Sequence, residues 1–378
     1  MPIAFIGDRN IFKVIRVKIA TILGTRPEII RLSLIIKRLD KLAEHVLVHT
    51  GQNYEESLND IFFKELGIRK ADYFMEVKSA TLGGQIANIM EGTEKVLRSV
   101  NPDKVLLLGD TNSCLSAIIA ERMGIPVYHL EAGNRCFDLK VPEEVNRKII
   151  DSISSHAIPY TPGSRENLLN EGIHPSRIFV SGNPIYEVLC HYADKIERSN
   201  VLERLKLESG KYFLLTAHRA ENVDVRERLM QIFEGLDQIN QEYGLPVICS
   251  IHPRTKSKLL QFHIDVPNKQ IRLYEPFGFF DFVKLEKNAL CVLTDSGTVQ
   301  EECCIFNVPT VTVRDSTERP ETVQCGSNIV SGVKAEKIFS CTQAMLQGRR
   351  TWKYPEGYTD ENVSEKVAKH IMGESLYV

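Results

Sequence analysis

Residues 103–147 read DKVLLLGDTNSCLSAIIAERMGIPVYHLEAGNRCFDLKVPEEVNR. Val105 to Leu108 is a short apolar run ending in Gly-Asp-Thr, Leu115, Ile118 and Ile119 follow at helical spacing, and Val127 to Leu130 is a second run ending in Glu-Ala-Gly. The spacing predicts a strand, a helix and a strand. Ligands of open parallel sheets bind beyond the carboxyl ends of the strands, so Asp110 and Glu131 are expected to flank one crevice. A single acid in such a place is more often a helix cap or a loop acid. Two strand ends repeating the pattern, followed by a PEEVNR turn with Glu143 and Arg147, favour a site. Carboxylates beside an apolar wall can hold different protonation states, which an enzyme needs if it removes one proton and delivers another.

The rest of the chain extends the same alternation. Lys18 to Leu23 reads as a strand running into GTRPEIIRLS, where Thr25 or Arg26 starts a helix with Pro27 and Glu28 in its first turn. Exposed amides at such an N-terminus, with Arg26 beside them, suit a phosphate or pyrophosphate. Further strands are expected at His45–His49, Asp72–Met75, Ala157–Tyr160 and Arg177–Val180, and helices at 82–100, 147–155 and 164–171. Pro184 to Gly210 is a charged helical connector, after which a second series begins. Its strands, at 212–216, 247–251, 271–274, 290–294 and 309–313, run into AHRAENV, HPRT, EPFGFF, DSGTVQEE and RDSTERPE. The fold class is therefore α/β, with two doubly wound parallel sheets. We divide the chain into 1–185, 186–361 and a terminal helical segment, 362–378, expected to pack back on the first part. Residues 1–17 are weakly patterned and read as a short extension.

At 378 residues the chain suits two domains. A net charge of −2 offers nothing to nucleic acid or a membrane surface, and no apolar run is long enough to span a bilayer, so a cytoplasmic protein is expected. The nine cysteines fall at no metal-ligand spacing and read as reduced core thiols. Cys136, inside the central stretch, is assigned a packing role ahead of a catalytic one. In DSGTVQEE, Gly297 allows close backbone approach, the amides around Ser296 to Val299 suit a diphosphate, and Glu302 lies one turn on. Ordinary helix capping by Asp295 and Ser296 is the plainer alternative.

Taken together, GTRPE (Gly24–Glu28), GDT (Gly109–Thr111), HLEAGNR (His129–Arg135), PEEVNR (Pro142–Arg147), SGN (Ser181–Asn183), AHRAEN (Ala217–Asn222), HP (His252–Pro253), DSGTVQEE (Asp295–Glu302) and RDSTERPE (Arg314–Glu321) resemble the non-hydrolysing UDP-N-acetylglucosamine 2-epimerases. The match runs from about Lys18 to the end of the chain. The resemblance implies two Rossmann-like domains facing a cleft, as in GT-B glycosyltransferases, and usually a homodimer. It implies elimination of UDP from a 2-acetamido sugar to give a glycal, then re-addition with protonation on the opposite face, without cofactor or metal. Asp110, Glu131 and Glu143 match the carboxylates of proton transfer, and Arg147 a residue holding that network. Arg26 and His218 match the diphosphate contacts, with Ser296, Gly297 and Thr298 assisting, and Glu302 the ribose contact; Arg31, where Lys is usual, belongs to the same set, and His218 also counts among the catalytic residues.

The runs RPEIIRLS and EAGNRCFD resemble the branch that forms UDP-N-acetyl-L-fucosamine from the corresponding 6-deoxy-L-talose sugar, for capsule or O-antigen. Glu55 replaces a Gln that, in the UDP-N-acetylglucosamine enzymes, helps bind a second, activating substrate molecule. Two other readings stand beside the epimerase: a GT-B glycosyltransferase or hydrolysing relative, which would not need three acids around the sugar, and a non-catalytic sugar-nucleotide sensor, which would not need the acids at all.

Overall fold

The apolar runs become strands buried on both faces, as a parallel sheet covered by helices requires. The computed structural model describes residues 16–51, 56–75, 77, 79, 81–266 and 268–373; Glu55 and most of the N-terminal extension lie outside them. Among the described residues, β1 (Lys18–Leu23), β2 (Glu44–His49), β3 (Tyr73–Phe74), β4 (Lys104–Leu108), β5 (Val127–Leu130) and β6 (His156–Ile158) form one six-stranded sheet in the order β3-β2-β1-β4-β5-β6. The second, from β7 (Phe213–Ala217), β8 (Val247–Ile251), β9 (Ile271–Tyr274), β10 (Cys291–Thr294), β11 (Thr310–Thr312) and β12 (Asn328–Val330), has the order β12-β11-β10-β7-β8-β9. The pairings in both sheets are parallel. Counted from its own first strand, each sheet has the doubly wound order 3-2-1-4-5-6, whose crevice opens where the winding reverses. Those points are β1/β4 and β7/β10, and the two sheets face each other in a GT-B-like arrangement.

Two apolar layers cover each sheet. The helix Arg26–Leu42 packs on one face of the first sheet together with the terminal helix Val363–Met372, whose Val363, Val367 and Ile371 are buried against it. The same layer takes in Phe279, Val283 and Ile305 from the second half, so the core is continuous between the halves. The connector is also docked rather than solvated. It forms three short helices, Pro184–His191, Ala193–Glu197 and Val201–Leu205, and Tyr192 from it accepts from Lys37 Nζ at 2.7 Å and donates to the Leu66 carbonyl at 2.5 Å.

Three local expectations differ from what is observed. The strand expected at Arg177–Val180 reduces to a single bridge from Ile178 to Ala157, because Pro175 opens a 3₁₀ turn over Pro175–Arg177. The helix expected from Arg147 begins at Pro142, so PEEVNR is its first turn and a half; Pro at the start and two acids in the first turn are good N-terminal residues. The edge strand β12 had no counterpart in the reading, its three residues, Asn-Ile-Val, being too short to show a period.

Candidate active site

The first switch point sets the floor of the cleft. Strands β1 and β4 end at Leu23 and Leu108, and the turns that follow, GTRPE and GDT, are tied together by one side chain. Buried Glu28 accepts from the Gly24 amide at 2.5 Å, the Thr25 amide at 2.9 Å and the Thr111 hydroxyl at 2.7 Å. Burial pushes its carboxyl up to about 7 against the pull of these donors. A folded-state value above the ordinary 4.5 means that its contribution to stability is fully present near pH 4 and is lost as pH rises through about 7. Glu28→Gln can keep every bond, its oxygen accepting from the two amides and its NH₂ reaching Thr111. We expect it to fold and to flatten the loss of stability between pH 5 and 8 by up to about 3 kcal/mol; urea midpoints at the two pH values measure this, and an unaltered pH dependence would refute it.

The acids lie on three adjacent elements. Asp110 follows β4, Glu131 follows β5, and Glu143 sits in the first turn of the helix Pro142–Ile153. Glu131 holds a left-handed backbone, φ 69°, that a residue with a side chain adopts at a cost, and Gly133 beyond it has φ 77°. A Cβ at Gly133 would lie 2.1 Å from the Ser164 carbonyl oxygen, so glycine is required there. Arg147, one turn after Glu143, gathers the group: it donates to the Glu131 carbonyl at 2.6 Å, to Glu131 Oε1 at 3.1 Å and to Asp110 Oδ2. Asn146 holds the Asp110 carbonyl at 3.0 Å. Burial raises Glu143 above the ordinary carboxylate range, with Arg219 opposing and Asp110 adding to the rise.

The second switch point faces these acids. Asp295, after β10, is fully buried, yet it does not cap its own helix. It accepts from the His218 and Arg219 amides, both at 2.9 Å, and from His218 Nδ1 at 3.2 Å, so it fixes the turn after β7. Burial works against its charge, but His218 and the Arg219 amide hold it down at about 2. The helix Gly297–Phe306 begins at the cleft, its N-cap Ser296 making no side-chain cap bond, so its first amides are presented to a ligand. A Cβ on Gly297 would lie 3.1 Å from Glu318 Oε1 and 3.3 Å from Arg319 Cζ.

The cleft between the halves is about 490 Å³, and Arg26, Arg31, Asp110, Glu131, Glu143, His218, Ser296, Gly297, Thr298 and Glu302 all line it. Arg147 stands behind the acids, buried. His252 and Arg254 add to the wall near Arg26, and burial and the positive charge of Arg26 push His252 down to about 4, so it is a neutral imidazole. The basic side is thus the second switch point and the GTRPE turn; the acidic side is the first sheet.

Some functional side chains were read only as letters of a motif. Arg31 and Arg319 each contact both Glu131 and Glu301, making a buried ring of alternating charge. Arg31 and Glu131 belong to the first half, Arg319 and Glu301 to the second, so the ring bridges the halves. Arg31 therefore lines the cleft with its guanidinium already occupied by two carboxylates and 5.7 Å from the Tyr160 ring centroid. Arg219 makes a second bridge, to Glu143 at 2.8 Å and Glu318 at 3.1 Å. ERPE, which sets Arg319 between two acids, was the available signal. Cys136 does not line the cleft; its half-buried Sγ lies 3.5 Å from Glu144, and burial pushes the thiol up. Among the described residues no group of three or more His, Cys, Asp or Glu is placed to hold a metal, and no helix is long and apolar enough to cross a membrane.

A family model described as UDP-N-acetylglucosamine 2-epimerase matches residues 37–372. The chain belongs to this family. It is 45% identical over 348 residues to the UDP-N-acetylglucosamine 2-epimerase of Methanocaldococcus jannaschii, covering 90% of this chain and 95% of the relative. The crystal structure of the enzyme from that organism in complex with UDP-GlcNAc and UDP superposes with a TM-score of 0.89 at 43% identity, covering 94% of this chain and 99% of that one. The UDP-2,3-diacetamido-2,3-dideoxy-D-glucuronate 2-epimerase of Pseudomonas aeruginosa is 33% identical over 359 residues, covering 94% and 99%. The protein is accordingly an isomerase with the two-sheet GT-B-like fold of that family.

Proposed function

We propose that the enzyme inverts C2 of a UDP-linked 2-acetamido sugar by eliminating UDP and adding it back. A carboxylate takes the C2 proton, the C–H electron pair becomes the C1–C2 double bond of a glycal, and the C1–O pair leaves with UDP. Re-addition with proton delivery to the other face gives the epimer. The observation that carries this reading is the meeting of Asp110, Glu131 and Glu143 on one wall, opposite His218 and the start of the helix Gly297–Phe306. The C2 proton is weakly acidic, so its removal must be coupled to loss of a stabilised leaving group. Arg26, His218 and the amides from Ser296 to Thr298 take the diphosphate, and Glu302 the ribose hydroxyls. Asp110 and Glu143, the acids with side chains most open to the cleft, exchange the proton. Glu131, held by Arg31, Arg147 and Arg319, fixes Arg147 in place.

The substrate we propose is UDP-N-acetylglucosamine and its manno epimer, after the names of two relatives 45% and 42% identical. The stretches RPEIIRLS and EAGNRCFD support a second reading, the 6-deoxy-L counterpart leading to UDP-N-acetyl-L-fucosamine, and the relative named for a diacetamido-glucuronate supports some breadth at C6. We further propose that 1–185 with 362–378 and 186–361 are the closing units, that the enzyme is a cytoplasmic homodimer, and that it serves surface-polysaccharide synthesis, capsule or O-antigen. Incubation with each candidate sugar nucleotide in deuterated water tests the reaction. Deuterium at C2 of recovered UDP-sugar is expected; free sugar or free UDP without C2 exchange would favour a hydrolase or transferase, and no turnover of any candidate, with UDP bound, a sensor.

A further inference from the structure

Glu302 has a buried neighbour of its own kind. Glu286, on the helix Phe279–Asn288, is 0% exposed, and neither of its carboxyl oxygens accepts a hydrogen bond from a donor among the described residues. That helix packs against the helix Gly297–Phe306, from which Glu302, also buried, lines the cleft, and the two carboxyl groups act on each other. The other titratable groups that feel Glu286 are the Cys303 thiol and the Tyr212 phenol, and the phenol is committed to the Leu285 carbonyl at 2.6 Å. None of these brings a positive charge. Arg31 and Glu301 also act on Glu302 through their charges. A lone buried carboxylate takes up a proton rather than stay ionised, and two carboxyl groups bond to each other only when one carries a proton. Burial and the charge of Glu302 hold Glu286 well above the usual carboxylate range, so the proton belongs on Glu286.

We propose that Glu286 is a positioning residue whose carboxylic acid donates to Glu302 and fixes that carboxylate to accept from both ribose hydroxyls of the uridine nucleotide. The inference rests on the reading of Glu302 as the ribose contact. Burial pushes Glu302 up to about 8, with Arg31 opposing. The two hydroxyls are donors and draw it to the ionised form, while the internal donor stops it from rotating onto one hydroxyl at a time. Glu286 itself never touches the nucleotide. Its effect is selectivity for ribose over 2′-deoxyribose.

Calorimetric affinities for UDP and 2′-deoxy-UDP, measured on folded full-length variants, test this. Glu302→Gln is expected to lose most of the preference for UDP, about tenfold for one hydrogen bond to a charged acceptor. Glu286→Met is expected to lower the UDP/2′-deoxy-UDP ratio by about five- to tenfold, and Glu286→Gln, whose amide still donates, to keep it within about twofold. A Met variant with the wild-type ratio beside a Glu302→Gln variant that has lost it overturns the role of Glu286 and leaves the ribose reading standing. An unchanged ratio in Glu302→Gln overturns that reading instead, and the present inference with it. If Glu286→Met does not fold, Glu286→Gln alone decides: loss of the ratio there rejects the donor role, since a donor is still present.

Discussion

Asp110→Asn lowers turnover by about 10² to 10⁴-fold, the usual worth of general acid–base assistance, while UDP affinity stays within about threefold of wild type. The substitution changes charge and basicity but little else. An amide oxygen still accepts from Arg147, and the main-chain bond from Asn146 to residue 110 is untouched, so the turn after β4 keeps its place. Of the groups assigned to UDP, His218, Ser296 to Thr298 and Glu302 make no bond to Asp110 among those described. A secondary effect follows from charge. Asp110 helps to raise Glu28 and Glu143, so with Asn in its place Glu143 ionises at lower pH and the acid limb of any residual activity moves down. Single-turnover rates measured with each candidate sugar nucleotide, set beside UDP titrations, separate the two effects. A variant within tenfold of the wild-type rate removes Asp110 from the proton-transfer step.

How far the sequence carried the reading depends on what each feature needs. The parallel strands were legible because a strand buried on both faces is written as a short unbroken apolar run, as in Val-Leu-Leu-Leu at 105–108 and Val-Tyr-His-Leu at 127–130. The acids at Asp110 and Glu131 were legible because ligands of a parallel sheet bind beyond the carboxyl ends of its strands, and Glu143 because PEEVNR follows those two strand ends, although its place in a helix's first turn was not read. The motif RPE showed a helix start, but not that Glu28 would bind two turns together, since Thr111 is 83 residues away. The same separation hides the ring: Arg31 meets Glu301 across 270 residues, and only the closing of two sheets brings them together. Arg31 enters with the resemblance, at a position where Lys is usual, and nothing near it in the chain shows that its guanidinium meets carboxylates from both halves. Glu286 lies in FVKLEKN, where an acid in a charged helix suggests a solvated face, and only packing against the helix Gly297–Phe306 shows otherwise.

The second large effect is expected from Arg319→Met. Arg319 is 3% exposed, its Nε bonds Glu301 Oε1 at 2.5 Å, its Nη2 lies 3.1 Å from Glu131 Oε1, and these two acids have side chains 1% and 5% exposed. With Arg31 on the opposite corner, the four charges sit in a buried ring, and Arg147 adds a third cation at Glu131. Methionine matches the length of the stem but leaves Glu301 with Arg31 alone and Glu131 with Arg31 and Arg147. Breaking a buried pair from one side typically costs about 3–5 kcal/mol, more than the pair contributes over an apolar replacement, because the partner charge is stranded. The expected result is a urea midpoint lowered by that amount divided by the slope m, with the slope unchanged. Adding Glu301→Gln to Arg319→Met should restore part of the loss, since one stranded charge disappears, and the cycle should show a coupling of about 1–3 kcal/mol. Turnover should fall as well, because Glu131 loses a donor that holds it beside Arg147 and Asp110. Arg31→Met at the opposite corner should behave in the same way. A stability change below about 1 kcal/mol in both variants would mean that water screens the ring, and that apolar packing of Phe279, Val283 and Ile305 against the first half holds the cleft together by itself.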